Sequence, residues 1–232
     1  MRLVKRILTT LLLLAVLAAA YTVYSGWNLY KEVTEEVSVA QKVEEIRSQQ
    51  HYTDYDQLTD TYVKAVIAGE DRRFRKHGGF DILSTGRAVL HNIKAGELKQ
   101  GGSTITQQLA RNMYFEQDKK LSRKVAEVLV AFDIEDEYDK DEILELYVNV
   151  IYFGSGYYNI YDASVGYFGK TPDQLTDYEA TMLAGIPNAP SVYDLNVNPD
   201  LAEQRRQQVV SCMIEEGYIE EGEIQADTNS RA

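Results

Sequence analysis

The chain opens on an apolar run, Ile7 to Ala20, that Tyr21 to Tyr24 extend and that Arg2, Lys5 and Arg6 precede. About 18 residues is near the shortest length that crosses a bilayer as a helix. Tyr21, Tyr24 and Trp27 fall where an interfacial aromatic belt is expected, and the basic flank predicts a cytoplasmic N-terminus with the body outside. Ala18-Ala19-Ala20 keeps a cleaved signal peptide open as the other reading, and either one exports the body. Residues 28–54 are polar with heptad-like apolar positions (Val33, Val37, Ala40, Val43), which predicts a helical stalk.

From Thr61 onward the pattern predicts helix after helix. One runs from Thr61 to about His77 and stops at Gly78-Gly79, a second covers Asp81 to Ala95, and a third follows Gly101-Gly102 with Thr104 and Gln107 spaced as a capping box. Others span Lys120 to Glu137 and Lys140 to Phe153, and a Gly/Tyr-rich stretch then leads to Lys170. Thr176 to Glu179 caps a further helix, and Asn198-Pro199 opens the last, which closes at Gly217. Period-2 alternation is scarce. The fold class predicted is mainly α, organised as a basic tail (1–6), an anchor (7–27), the stalk (28–54), one domain (55–220) and an acidic tail (221–232).

One helical stripe is interrupted. Val63, Val66, Ile67, Glu70, Phe74 and His77 follow the spacing of a single face, so a carboxylate occupies a core position. Burying it costs several kcal/mol unless it is paired, and burial pushes a carboxyl towards neutrality, the property of a general acid or base. A structural ion pair with Arg72, Arg73 or another cation is the competing account. Phe74 and His77 read as scaffold.

Gly101-Gly102-Ser103-Thr104 feeds a hydroxyl-rich helix start whose free N–H groups would suit an anion. Ile105, Leu109 and Met113 form its buried face, with Gln107 and Arg111 sharing another and Gln108 beside them. In Lys119 to Glu127 the predicted buried face is Leu121, Val125, Val128, Leu129 and Phe132. Arg123 and Glu127 then read as a solvated i, i+4 pair worth about 0.3–0.5 kcal/mol. Alternatively Glu127 is a second functional acid beside Lys119, Arg123 and Lys124.

Charge narrows the function. The formal net charge is −12, which leaves −15 once Arg2, Lys5 and Arg6 are set aside. So acidic a body argues against nucleic acid. An anionic substrate would have to be held by a local basic cluster. The single cysteine, Cys212, excludes an intramolecular disulfide, and His51, His77 and His91 show no zinc-ligand spacing, so no metal site is predicted.

Taken in order, these segments resemble the peptidoglycan glycosyltransferases of the penicillin-binding-protein type. The first signature, Glu-Asp-x-x-Phe-x-x-His-x-Gly, corresponds to Glu70 to Gly79. Gly-Gly-Ser-Thr-Ile-Thr-Gln-Gln-Leu is intact from Gly101 to Leu109, and Arg-Lys-x-x-Glu is Arg123 to Glu127. Ile143-Leu144-x-x-Tyr147-x-Asn149 and Tyr167 to Lys170 resemble two more. The resemblance implies a lysozyme-like helical domain beside a membrane, inverting and monofunctional, since no room for a transpeptidase follows Gly217. Its substrate, as donor and acceptor, would be a lipid-linked disaccharide-peptide, joined into β-1,4 glycan strands with release of undecaprenyl pyrophosphate. Glu70 would be the general base, with Glu127 the supporting second carboxylate. Asp71, Phe74, His77, Gly102, Ser103, Thr104, Gln107, Gln108, Arg111, Lys119, Arg123 and Lys124 would line the substrate site. No cofactor is obligatory, but a magnesium or manganese ion at the pyrophosphate stays open, as do cell-wall synthesis partners. Arg111 stands where the family usually has Lys, and Asn159 and Ser164 where Gly and Ala are common. The rival readings are a lytic transglycosylase or lysozyme-like hydrolase, and a catalytically silent cell-wall scaffold.

Overall fold

The computed structural model describes residues 2–95, 101–115 and 120–224, with only the backbone of 89–95. Among the described residues there is no strand. Helix α1 (Arg2–Glu36) is unbroken from the apolar run through Trp27 into the first third of the expected stalk. It is the one described helix long and apolar enough to cross a membrane, and its apolar stretch is buried against nothing else in the protein.

The stalk does not stand apart from the body. After a break at Val37, Ser38 caps α2 (Val39–Arg47) through a reciprocal bond pair with Gln41, and Val39, Val43 and Ile46 are buried in the main core. Its heptad-like pattern is the inward face of a short helix.

Two groups of helices make the body. In one, α3 (Asp60–Glu70) packs against α9 (Asp177–Gly185) and α11 (Pro199–Glu215). In the other, α5 (Ile105–Tyr114) packs on α6 (Leu121–Glu137) and α7 (Lys140–Val148), and α1 lies along α6. Helix α4 (Ile82–Ala95) flanks the second group, starting at Asp81, whose carboxylate accepts from Leu83 and Ser84 N–H. Helix α8 (Ile160–Phe168) and the short α10 (Pro190–Tyr193) complete the series. The reciprocal box Thr176/Glu179 forms as expected, and Asp139/Glu142 make a second one that the sequence reading did not single out.

Three expectations need correction. The helix from Lys140 ends at Val148, where the Asn149 N–H turns back to the Leu146 carbonyl, and does not reach Phe153. Helix α3 ends at Glu70, not near His77: Asp71 takes φ −153°, and Phe74–Lys76 form a separate 3-10 turn. Phe74 is still fully buried, but a turn tucks it in, with Lys140 Nζ 4.5 Å above its ring. In α6 the core face is Ala126, Glu127, Val130, Ala131 and Ile134, about one residue round from the predicted one, and Leu121 and Phe132 are 75% and 46% exposed. The shift has a cause: α6 is covered twice. Val125 faces α1, where a Cβ on Gly26 would sit 2.5 Å from Val125 Cβ and 2.7 Å from the Ser122 carbonyl oxygen. A helix covered on two sides has no single apolar stripe to read.

The departures Asn159 and Ser164 are absorbed locally. Asn159 caps α8 by accepting from Asp162 N–H, and Ser164 Oγ donates to the Lys170 carbonyl.

Candidate active site

Glu70 is the last residue of α3, at the seam between the two helix groups, and its side chain is 6% exposed. Every polar partner it has is a donor: Gln108 Nε2 at 3.0 Å, Arg205 Nη2 at 3.4 Å, and the Asn188 side chain. Burial pushes the Glu70 carboxyl above its ordinary value, and these donors pull it part of the way back. Tyr62 and Tyr147 are buried nearby, and both hydroxyls are held neutral by burial and by the field of Glu70.

Asp71, the next residue, turns the other way. Its carboxylate accepts from His77 Nε2 (2.9 Å) and from the Ile105 N–H at the start of α5 (3.1 Å). The anion expected at that helix start is therefore supplied by the protein itself. Burial works against the His77 cation, but the Asp71 bond and the Gly78 carbonyl outweigh it and raise its pKa. Thr104 caps α5 by accepting from Gln107 N–H, yet the Gln107 side chain does not return to complete the box. It and Thr104 Oγ1 both donate to the Gly79 carbonyl at 3.0 Å. Asp71, His77, Thr104 and Gln107 thus bind the first two signatures to each other, with Phe74 buried in the turn between Asp71 and His77. Gly79 is where they meet α6: a Cβ there would lie 2.7 Å from the Ala131 carbonyl carbon, whereas one on Gly78 would meet nothing. Gly102 sits against α4, its carbonyl accepting from Thr85 Oγ1 at 3.0 Å.

The second centre is on α6. Glu127 is 2% exposed, so its pair with Arg123 is not a solvated surface bridge. Lys124 Nζ donates to Glu127 Oε2 (3.0 Å) and to Ser103 Oγ (2.7 Å). Arg123 Nη1 lies 2.9 Å from Oε1 but is not aligned to donate, which leaves Oε1 and Arg123 Nε without hydrogen-bond partners. Burial pushes the Lys124 ammonium down, Glu127 holds it up, and Arg111 and Arg123 push it down further. Lys119 lies outside the described residues.

Helix α5 links the centres: Ser103, just before it, meets Lys124, and Gln108 meets Glu70. Five residues of helix rise span about 7.5 Å. A hollow of about 280 Å³ opens one turn further on, lined by Asn112, Asn149, Tyr158, Asn159 and residues of α2. It does not contain Glu70, but Asn112 donates to the Gln108 carbonyl.

Neither centre suits a divalent ion. Glu127 already has two cations, and the cluster of Asp71, His77 and Asp81 spends its oxygens on His77, Arg73, Ser84 and backbone N–H groups.

Residues 35–214 match the family model described as transglycosylase. The chain belongs to the penicillin-binding-protein type of transglycosylase family. A putative transglycosylase of Cupriavidus necator is 50% identical over 159 residues, 68% of each chain. Penicillin-binding protein 1F of Bacillus subtilis is 42% identical over 83% of this chain and 25% of its own length. Penicillin-binding protein 1A of Aquifex aeolicus is 45% identical over 72% and 23%. The chain thus spans about a quarter of these two longer relatives. The helical body is the lysozyme-like domain of the transglycosylase family.

Three residues around Glu70 escaped sequence reasoning: Arg205, Asn188 and the buried Tyr147 in its place beside the carboxyl. The stripe Ala202, Arg206, Val209 and Met213 on α11 is interrupted by arginine, but that residue pairs with Glu203 at 2.7 Å, and Arg205 lies off the stripe.

Proposed function

We propose that this chain polymerises a lipid-linked disaccharide-peptide into β-1,4 glycan, releasing undecaprenyl pyrophosphate, on the extracytoplasmic face of a membrane that α1 crosses. The observation that carries the proposal is the pairing along α5 of a buried carboxylate, whose partners among the described residues are donors, with a half-buried cation cluster around the buried Glu127. Donors favour the anion, and an anionic Glu70 is a base. It takes the proton of the acceptor sugar's 4-hydroxyl as that oxygen attacks the donor's anomeric carbon. The anomeric C–O bond breaks with its electron pair on the pyrophosphate, in a single displacement that inverts the carbon. A diphosphate needs charge stabilisation more than a proton as it leaves. Arg123, Lys124 and Arg111 supply it, and Glu127 keeps Lys124 charged despite its burial. Any divalent ion at the pyrophosphate would be held by the phosphates themselves.

A glycan-cleaving enzyme would instead need Glu70 protonated and aimed at a sugar leaving group, and the three donors oppose that. The test is incubation of the detergent-solubilised full chain with lipid-linked disaccharide-peptide. Polymer is expected from the parent and none from Glu70→Gln. Cleavage of finished glycan without polymer from the precursor would replace this reading by the hydrolase, and equal polymer from both proteins would remove Glu70 from the mechanism.

A further inference from the structure

The contacts of Arg205 are peculiar to its position. Its guanidinium meets carbonyls in the last turns of two helices, Gly69 O of α3 (3.5 Å) and Gly185 O of α9 (3.4 Å), together with Glu70 Oε1 (3.4 Å) and Gln208 Oε1 of its own helix (3.3 Å). Both helix ends carry partial negative charge. Glu70 therefore sits at the least favourable end of α3 for an anion, and it is buried there as well. A cation that binds both helix ends and the carboxylate offsets both penalties. The approach depends on glycine: a Cβ on Gly185 would lie 3.0 Å from Arg205 Cγ, and one on Gly69 3.3 Å from Val209 of the same α11. The Arg205 side chain is 12% exposed, so solvent screens the contact little.

We propose that Arg205 is a positioning residue for the general base, docked on the ends of α3 and α9 so that its guanidinium holds the Glu70 carboxylate as an anion facing the substrate. This rests on Glu70 being the base. Among the described residues no other cation contacts Glu70. Gln108 and Asn188 are neutral, and Tyr62 and Tyr147 are neutral phenols. Asp71 is bound to His77, and no hydrogen bond or ion pair joins Arg111 to the Glu70 carboxylate. Its contacts are long, so the fork can follow the carboxylate as the proton arrives.

The experiment is the pH profile of polymerisation by the full chain in detergent, for the parent, Arg205→Gln, Arg205→Lys and Glu70→Gln. Removing the cation makes Glu70 harder to ionise. For Arg205→Gln the acid limb of kcat/KM moves up by about one pH unit, a loss that approaches about tenfold on the acid side of the limb and fades above it. KM stays within about threefold. Arg205→Lys restores the acid limb. His77 also titrates in this range, but Arg205 does not touch it, so the difference between variants isolates Glu70. A loss that is uniform with pH, or none at all, overturns the proposal while an inactive Glu70→Gln leaves the polymerase reading intact. Polymer from Glu70→Gln would instead overturn that reading, and this proposal with it. Circular dichroism checks folding. If Arg205→Gln unfolds, Arg205→Met carries the test, and unfolding of both beside a stable Arg205→Lys would assign Arg205 to the fold and overturn the proposal.

Discussion

Replacing Glu70 by glutamine should make the protein more stable at neutral pH while abolishing its chemistry. Glutamine copies the shape of the neutral carboxyl and keeps an acceptor for Gln108. The ionised carboxylate is what the fold tolerates poorly, because its folded pKa is raised by burial, against the pull of Gln108, Arg205 and Asn188. The sign follows from linkage. A carboxyl whose folded pKa lies above its unfolded value costs the folded state stability as pH rises from the unfolded value, 4.5, through the folded one. Desolvating a carboxylate costs several kcal/mol, and hydrogen bonds to a charged group return about 1.5–3 kcal/mol each. One bond here is well formed and the guanidinium contact is long, so a net cost on the order of 1–2 kcal/mol remains. For a domain of this size that is a rise in Tm of about 2–8 °C for Glu70→Gln near pH 7.5. Thermal unfolding of both proteins in detergent at pH 7.5 and 4.5 is the assay. The gap should shrink at pH 4.5, where the parent carboxyl is protonated in the folded state. A Glu70→Gln protein less stable than its parent at pH 7.5, or a gap indifferent to pH, would refute the account of Glu70 as a strained anion.

Adjacent glycines should behave oppositely. Gly79→Ala drives a methyl into the α6 backbone at Ala131 and should cost about 2–4 kcal/mol, while Gly78→Ala meets open space and should unfold within a degree or two of the parent. The raised pKa of His77 gives stability that is fully present below its unfolded value, 6.5, and lost as pH rises through the folded one. His77→Gln should therefore narrow the difference in Tm between pH 6 and pH 8.5, and an unchanged difference would count against the Asp71 pair. Glu127→Gln removes what keeps Lys124 charged, so the alkaline limb of polymerisation should move to lower pH and kcat should fall about 100-fold. A slower enzyme with an unmoved alkaline limb would mean that Glu127 acts in some other way.

Some faces read directly from spacing: Ile105, Leu109 and Met113 of α5 are buried as expected. So did the Thr176 cap, whose partner Glu179 lies three residues away. Glu70 was legible as an interruption of its stripe, although Phe74 and His77 continue that spacing outside the helix. Glu127 was misjudged because α1 claims the side of α6 that carries Val125, and no local spacing shows that a second helix will arrive from about 100 residues earlier in the chain. Arg205 was missed for the same reason: its meaning lies in two helix ends more than 100 residues apart, Gly69 and Gly185.

The meeting of Gly26 with Ser122 and Val125 bears on which molecules can react. The apolar run of α1 ends near Tyr24, and Gly26 touches the first turns of α6, which carry Arg123 and Lys124. At about 1.5 Å per residue, the contact lies only a few ångströms beyond the apolar run. In the proposed orientation α1 therefore works as a depth gauge, holding the cations level with the lipid headgroups. A diphosphate on a lipid tail arrives already at that height, whereas a water-soluble sugar diphosphate has to be drawn down to it. Selection for the lipid-linked substrate is then partly a matter of altitude, set by the rigid splice between anchor and enzyme.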